Sequence, residues 1–115
     1  HNLVLTGLEG QAKIKEIMDY VRENGIKLKD HELVKYDDVL KSKTFYPDGS
    51  TKDIKLHKSN VLKFYFDNGM WVIFRPSGTE PKLKIYFSVI GQNQYDAEEQ
   101  LNKVVREVLE FTNQI

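Results

Sequence analysis

The sequence predicts an α+β domain: a mainly antiparallel four-stranded sheet with two helices on one face. Three observations carry that prediction. Apolar residues recur at helical spacing near both ends of the chain, they alternate with polar residues through its middle, and Asn68-Gly69 stands between two of the alternating runs.

The first helix is expected from about residue 8 to 24, because Ile14, Ile17, Met18 and Val21 follow the i, i+3, i+4, i+7 spacing that gathers them on one face. Thr6 with Glu9 three positions on fits a capping box, and Asn24-Gly25 supplies a stop, since glycine enters left-handed backbone without a Cβ penalty. The last helix is expected from about residue 96 to 113. Ala97, Leu101, Val104, Val105, Val108 and Thr112 share a face, with Asp96 and Glu99 as the N-terminal cap. Glu98, Lys103, Arg106 and Glu110 fall on the outward face and read as solvated surface.

Between the helices, residues 61–66 and 70–74 flank Asp67-Asn68-Gly69, and the Asn-Gly pair marks a tight antiparallel hairpin because both residues tolerate positive φ. Leu83, Ile85, Phe87 and Val89 alternate with Lys84, Tyr86 and Ser88, a half-buried strand ended by Gly91. An earlier strand is expected within residues 33–45, interrupted at Asp37-Asp38, and residues 46–60 read as a polar excursion with a turn at Pro47-Asp48-Gly49-Ser50. Two helices on one face leave the other face of the sheet open. Phe64, Phe66, Trp71, Phe74 and Phe87 suit a stacking platform for single-stranded nucleic acid, but aromatics alternating in strands beneath helices are better accounted for as core.

The 115 residues, 40% of them apolar and undivided by linker or repeat, fit a single domain spanning 1–115. Seventeen basic residues against 17 acidic ones leave no net charge, which excludes generalised counterion release from a polyanion, so any anion must be held locally. The absence of cysteine excludes a disulfide framework, a thiolate nucleophile and thiolate-bound metal in this chain, and points to the cytoplasm. His1, His31 and His57 lack the spacing of a metal site, so none is expected. The longest wholly apolar run, residues 70–74, is far short of the roughly 20 residues a membrane span needs. Opening at His1-Asn2-Leu3, with neither an initiator Met nor a signal-peptide pattern, the chain reads as a piece of something longer.

One segment stands apart: Arg75-Pro76-Ser77-Gly78-Thr79-Glu80-Pro81-Lys82, between two predicted strands. Arg75 offers a planar fork of donors, Ser77 and Thr79 offer hydroxyls, and Gly78 lets backbone N–H groups approach an anion closely. Pro76 and Pro81 stiffen the shoulders. The same residue types are the ordinary vocabulary of turns, so from the residues alone an anion site and a plain loop both stand. A carboxylate beside a bound anion repels it, so Glu80 is expected to pin Arg75 or a loop amide rather than touch a ligand.

These eight contiguous residues, followed by a strand and a terminal helix, closely resemble the phosphate-binding loop in the last domain of the α-D-phosphohexomutases, the phosphoglucomutase and phosphomannomutase family. The resemblance covers essentially the whole chain and implies a helix, four strands, helix layout similar to the TATA-binding-protein fold. Lys58-Ser59-Asn60-Val61-Leu62-Lys63 and Tyr36-Asp37-Asp38-Val39-Leu40 look most like the bacterial phosphoglucomutase branch. It further implies one part of a four-domain enzyme that interconverts hexose 1- and 6-phosphates: a phosphoserine in the first domain passes its phosphoryl group to the sugar, a bisphosphate turns round, and a magnesium ion in the second domain supports the transfer.

In that setting this domain carries no catalytic residue and no metal ligand, is inactive alone, and grips the phosphate that is not reacting. Its partners are a hexose phosphate and the other domains of the enzyme, with no nucleic acid and no membrane. Residue by residue, Arg75, Ser77, Gly78 and Thr79 match the family positions that contact this phosphate. Lys84 departs from an arginine that many relatives carry there, which keeps the charge and loses the bidentate geometry. Lys82 and Lys84 share a strand face beyond the loop and are secondary candidates. The rival expectation is a stand-alone module that binds single-stranded nucleic acid or protein through the open sheet face.

Overall fold

The computed structural model describes residues 2–115. Strand β1 (Asn2–Glu9) leads into helix α1 (Gln11–Asn24). Strands β2 (Leu33–Asp38), β3 (Lys43–Phe45), β4 (Thr51–Asp53), β5 (Leu62–Phe66), β6 (Trp71–Pro76) and β7 (Lys82–Ser88) follow, and helix α2 (Gln94–Asn113) ends the chain. All seven strands form one sheet in the order β1-β7-β6-β5-β2-β3-β4. Every neighbouring pair is antiparallel.

The α+β class stands, but the sheet has seven strands where the sequence predicted four. Thr6 and Glu9, expected as the capping box of a helix starting near residue 8, instead lie in a strand over residues 2–9 that pairs along β7, with Thr6 opposite Lys84 and Glu9 opposite Lys82. A strand there satisfies the backbone edge that β7 otherwise presents to water. Gly10, at φ 98, makes the break between strand and helix in a conformation that other residues rarely adopt.

The single strand expected over residues 33–45 is two strands, β2 and β3, folded back on each other. Asp37 and Asp38 do not interrupt β2, because each carboxylate meets donors. Asp38, 1% exposed, accepts from Arg22 Nε at 2.9 Å and from the amides of Leu40 and Lys41 at 3.1 and 3.3 Å. Asp37 accepts from the hydroxyls of Thr44 at 2.6 Å and Tyr65 at 2.9 Å. Strand β4 lies in the expected polar excursion. It is exposed along its whole length and pairs only with β3, so no apolar alternation announces it.

Several expected features are present. Asn68 (φ 59) and Gly69 (φ 73) turn β5 into β6, with Leu62 opposite Phe74 and Tyr65 opposite Trp71. Gly25 (φ 72) stops α1, and its N–H donates to the Val21 carbonyl at 2.7 Å. Helix α2 begins two residues earlier than expected. Its cap is Asn93, whose side chain accepts from the Asp96 amide at 2.8 Å; Asp96 itself sits in the first turn and accepts from the Gln92 amide at 2.9 Å.

Ile14, Ile17, Met18 and Val21 of α1 and Ala97, Leu101, Val104 and Val108 of α2 bury against alternate residues of the central strands: Leu62, Phe64, Phe66, Val72, Phe74, Leu83, Ile85 and Phe87. Both helices therefore cover one face of the sheet. Trp71, expected in the core, falls on the opposite, half-buried face, where the Lys63 ammonium lies 4.8 Å from its ring and 4.7 Å from that of Tyr65. The period of two places it there: Val72 and Phe74 point inward, so Trp71 and Ile73 point away.

Candidate functional site

The loop joining β6 to β7 is closed at its base by main-chain bonds. The Ser77 N–H donates to the Lys82 carbonyl and the Lys82 N–H to the Glu80 carbonyl, both at 2.8 Å, while the Gly10 N–H reaches the Pro81 carbonyl at 3.1 Å. Ser77 Oγ accepts from the amides of Thr79 at 3.4 Å and Glu80 at 3.3 Å. A hydroxyl whose two lone pairs face amide donors has only its proton left to offer, so Ser77 is set up to donate away from the loop. Gly78 makes no hydrogen bond through its amide among the described residues. Its φ is not positive, and a Cβ there meets no atom within 4 Å. Neither backbone conformation nor internal packing asks for glycine at this position.

Two cavities share this loop. One, of about 510 Å³, is lined by Ser59, Asn60, Val61, Arg75, Pro76, Ser77, Gly78 and Lys84. Arg75 and Lys84 are cross-strand partners, which puts two cations side by side at its wall. Neither side chain makes a hydrogen bond or ion pair among the described residues, and no carboxylate is among the described residues that line the cavity.

The second cavity, of about 250 Å³, lies between the loop and α1. Ser77, Gly78, Thr79, Glu80 and Lys82 contribute from the loop, Lys15 and Asp19 from the helix. Its cations are neutralised, Lys15 by Asp19 at 2.6 Å and Lys82 by Glu80 at 3.3 Å. Glu80 thus holds Lys82, where the sequence reading expected it to pin Arg75 or a loop amide.

The structure therefore places Arg75 and Lys84 at one cavity and Thr79 and Lys82 at the other, with Ser77 and Gly78 lining both. Asn60 lines both as well; sequence reasoning quoted it within a family-like stretch but gave it no role in the site. Its place at the end of a polar stretch gives no chemical signal; only its contact with a distant arginine does.

Beyond Arg75 the open sheet face continues through Val61, Ile73 and Tyr86, with Leu56 and His57 beside them, as a more apolar hollow of about 570 Å³. On the same face the Tyr65 phenol is pushed up to about 12, first by burial and then by the bond it donates to Asp37. Burial, followed by the nearby charge of Asp38, likewise raises Tyr36. Among the described residues no three His, Cys, Asp or Glu side chains gather as a metal ion requires. No helix of the described residues is long and apolar enough to cross a membrane.

The fold is an antiparallel α+β domain, and among the described residues one of its openings is lined by two cations without an acidic partner, a directed hydroxyl and an unbonded amide, a donor set that suits an anion. Comparison with known proteins is more specific: residues 9–111 match the family model described as phosphoglucomutase/phosphomannomutase, C-terminal domain, and the chain belongs to that family. It is 39% identical over 108 residues to a phosphoglucomutase of Staphylococcus aureus strain MSSA476 and 38% identical over 108 residues to one of strain N315. Each match covers 88% of this chain and 18% of the relative, so the chain spans under a fifth of those proteins' length. No solved structure matches it.

Proposed function

We propose that this chain is the C-terminal domain of a cytoplasmic hexose-phosphate mutase, a phosphoglucomutase, and that the cavity bounded by Arg75, Ser77, Gly78 and Lys84 seats the substrate phosphate that is not reacting. One observation carries the reading: in a chain of zero net charge, two cations and no carboxylate stand among the described residues around an opening that also holds a directed hydroxyl and an uncommitted amide. A phosphate dianion needs that donor set. Charge-assisted bonds contribute about 1.5–3 kcal/mol each, so three or four of them support micromolar to millimolar binding after association costs.

The seat acts by orientation. Donors aimed at phosphoryl oxygens recognise a phosphate whichever sugar carbon carries it, as a bisphosphate that turns round between two transfers requires. Binding energy gathered at the distant phosphate also draws the domain over the substrate. No cluster of the described residues fits a magnesium site; in this reading the ion belongs to the rest of the enzyme, as does the nucleophile, and this domain alone is inactive.

Arg75→Ala in the full-length enzyme tests the assignment. We expect kcat/KM for glucose 1-phosphate to fall about 30-fold, about 2 kcal/mol of transition-state stabilisation; an unchanged value refutes the seat. The half-buried Trp71 on the open face, beside Lys63 and Tyr65, favours a second reading, in which that face binds single-stranded nucleic acid. That reading requires affinity to fall steeply and linearly in log salt, whereas a single phosphate seat gives a shallow slope.

A further inference from the structure

Asn60 meets the loop from a different part of the chain and touches a pair of charges that the seat described above does not use. The Arg22 guanidinium bridges two acceptors: its Nε donates to Asp38 Oδ2 at 2.9 Å and its Nη2 to Asn60 Oδ1 at 2.7 Å. Asp38 is 1% exposed and also receives the Leu40 and Lys41 amides, so the carboxylate is pinned inside the fold. Arg22, with its side chain 14% exposed, is fixed in turn. A guanidinium only donates, so the end of the Asn60 amide that faces it is the carbonyl oxygen.

That orientation has a chemical consequence. Both N–H donors of the Asn60 amide remain uncommitted among the described residues, on an exposed residue that lines the cationic cavity alongside Ser77 and Gly78. We propose that Asn60 is a further phosphate-contacting residue, donating through Nδ2 to a phosphoryl oxygen, and that Arg22 and Asp38 are positioning residues that hold its amide in that sense. The inference rests on the phosphate-seat reading and extends it to β2, α1 and the segment before β5. It also gives the buried Arg22–Asp38 pair a purpose: a residue on an otherwise irregular segment is held in one orientation by a guanidinium rooted in the core.

The test compares Asn60→Asp, Asn60→Ala and Arg75→Ala in the full-length enzyme. The readouts are kcat/KM for glucose 1-phosphate, the inhibition constant of inorganic phosphate, and the melting temperature. A carboxylate still accepts from Arg22 but offers no donor and repels a dianion. Asn60→Asp is therefore expected to keep its melting temperature, to lose more than tenfold in kcat/KM, and to raise the inhibition constant at least as much. Asn60→Ala is expected to lose about threefold to tenfold in both.

If Asn60→Asp matches the parent while Asn60→Ala is impaired, the residue only braces the fold and the proposal is overturned. Values within twofold of the parent for both Asn60 variants, with Arg75→Ala impaired, overturn it as well. Should Asn60→Asp not fold, Asn60→Ala decides on the same twofold limit. If Arg75→Ala also leaves both readouts within twofold, the seat itself is refuted, which separates failure of the underlying reading from failure of this one.

Discussion

The two sides of the β6–β7 loop are made from the same eight residues and differ in what faces them. On the α1 side every lining cation has an acid beside it, Asp19 for Lys15 and Glu80 for Lys82. On the β5 side Arg75 and Lys84 stand together across adjacent strands with no acid among the described residues of the wall. Like charges side by side repel, and folding tolerates the pair because both side chains reach water. Such an arrangement adds nothing to stability that a neutral pair would not, so it points to a ligand. A balanced overall charge conceals this, because electrostatic recognition depends on local arrangement rather than on the sum.

The largest expected effect separates the framework beneath the cationic side from the side itself. Asp38→Ala strands the Arg22 guanidinium and should lower the free energy of unfolding by about 3–5 kcal/mol in chemical denaturation, whereas the exposed Lys15–Asp19 pair should register at most about 1 kcal/mol in the same measurement. If the two losses are equal, the contrast between an anchored and an unanchored side disappears.

Lys84→Ala comes next, with an expected loss of about 1–2 kcal/mol in transition-state stabilisation from kcat/KM in the full-length enzyme. Gly78→Ala sharpens the comparison differently. Its φ is not positive and its Cβ position is empty, so unfolding free energy should stay the same or rise by about 0.4–1 kcal/mol. Steady-state kinetics on the same variant should nonetheless show kcat/KM reduced several-fold, because the new methyl group occupies ligand space. The smallest effects belong to the α1 side. Glu80→Gln and Lys82→Ala should each change unfolding free energy by less than about 0.5 kcal/mol and kcat/KM by less than twofold.

The parts of this molecule legible in its sequence were those with a strong local period or a specific turn. The faces of α1 and α2, the Asn68-Gly69 hairpin and the alternation through Leu83, Ile85 and Phe87 follow from spacing alone. Strand β1 was not legible because Thr6 and Glu9 also suit the cap of a helix, and only the open edge of β7 decides between the two. Strand β4 carries three exposed polar residues, and β2 contains two carboxylates whose donors, Arg22, Thr44 and Tyr65, lie far away in the chain.

At the site, Arg75, Ser77 and Gly78 could be named from a contiguous motif. The split that sends Thr79 and Lys82 to the far side of the loop, and the arrival of Asn60 from before β5, depend on three-dimensional placement that no short segment encodes.

The most direct measurement is the crystal structure of the full-length protein with glucose 1-phosphate bound. The account predicts phosphoryl oxygens within hydrogen-bonding distance of the Arg75 guanidinium and the Gly78 amide, on the side of the loop that holds Lys84. A phosphate lodged instead beside Lys15 and Lys82, or an Arg75 side chain turned away from it toward an acidic group of another domain, would contradict the account.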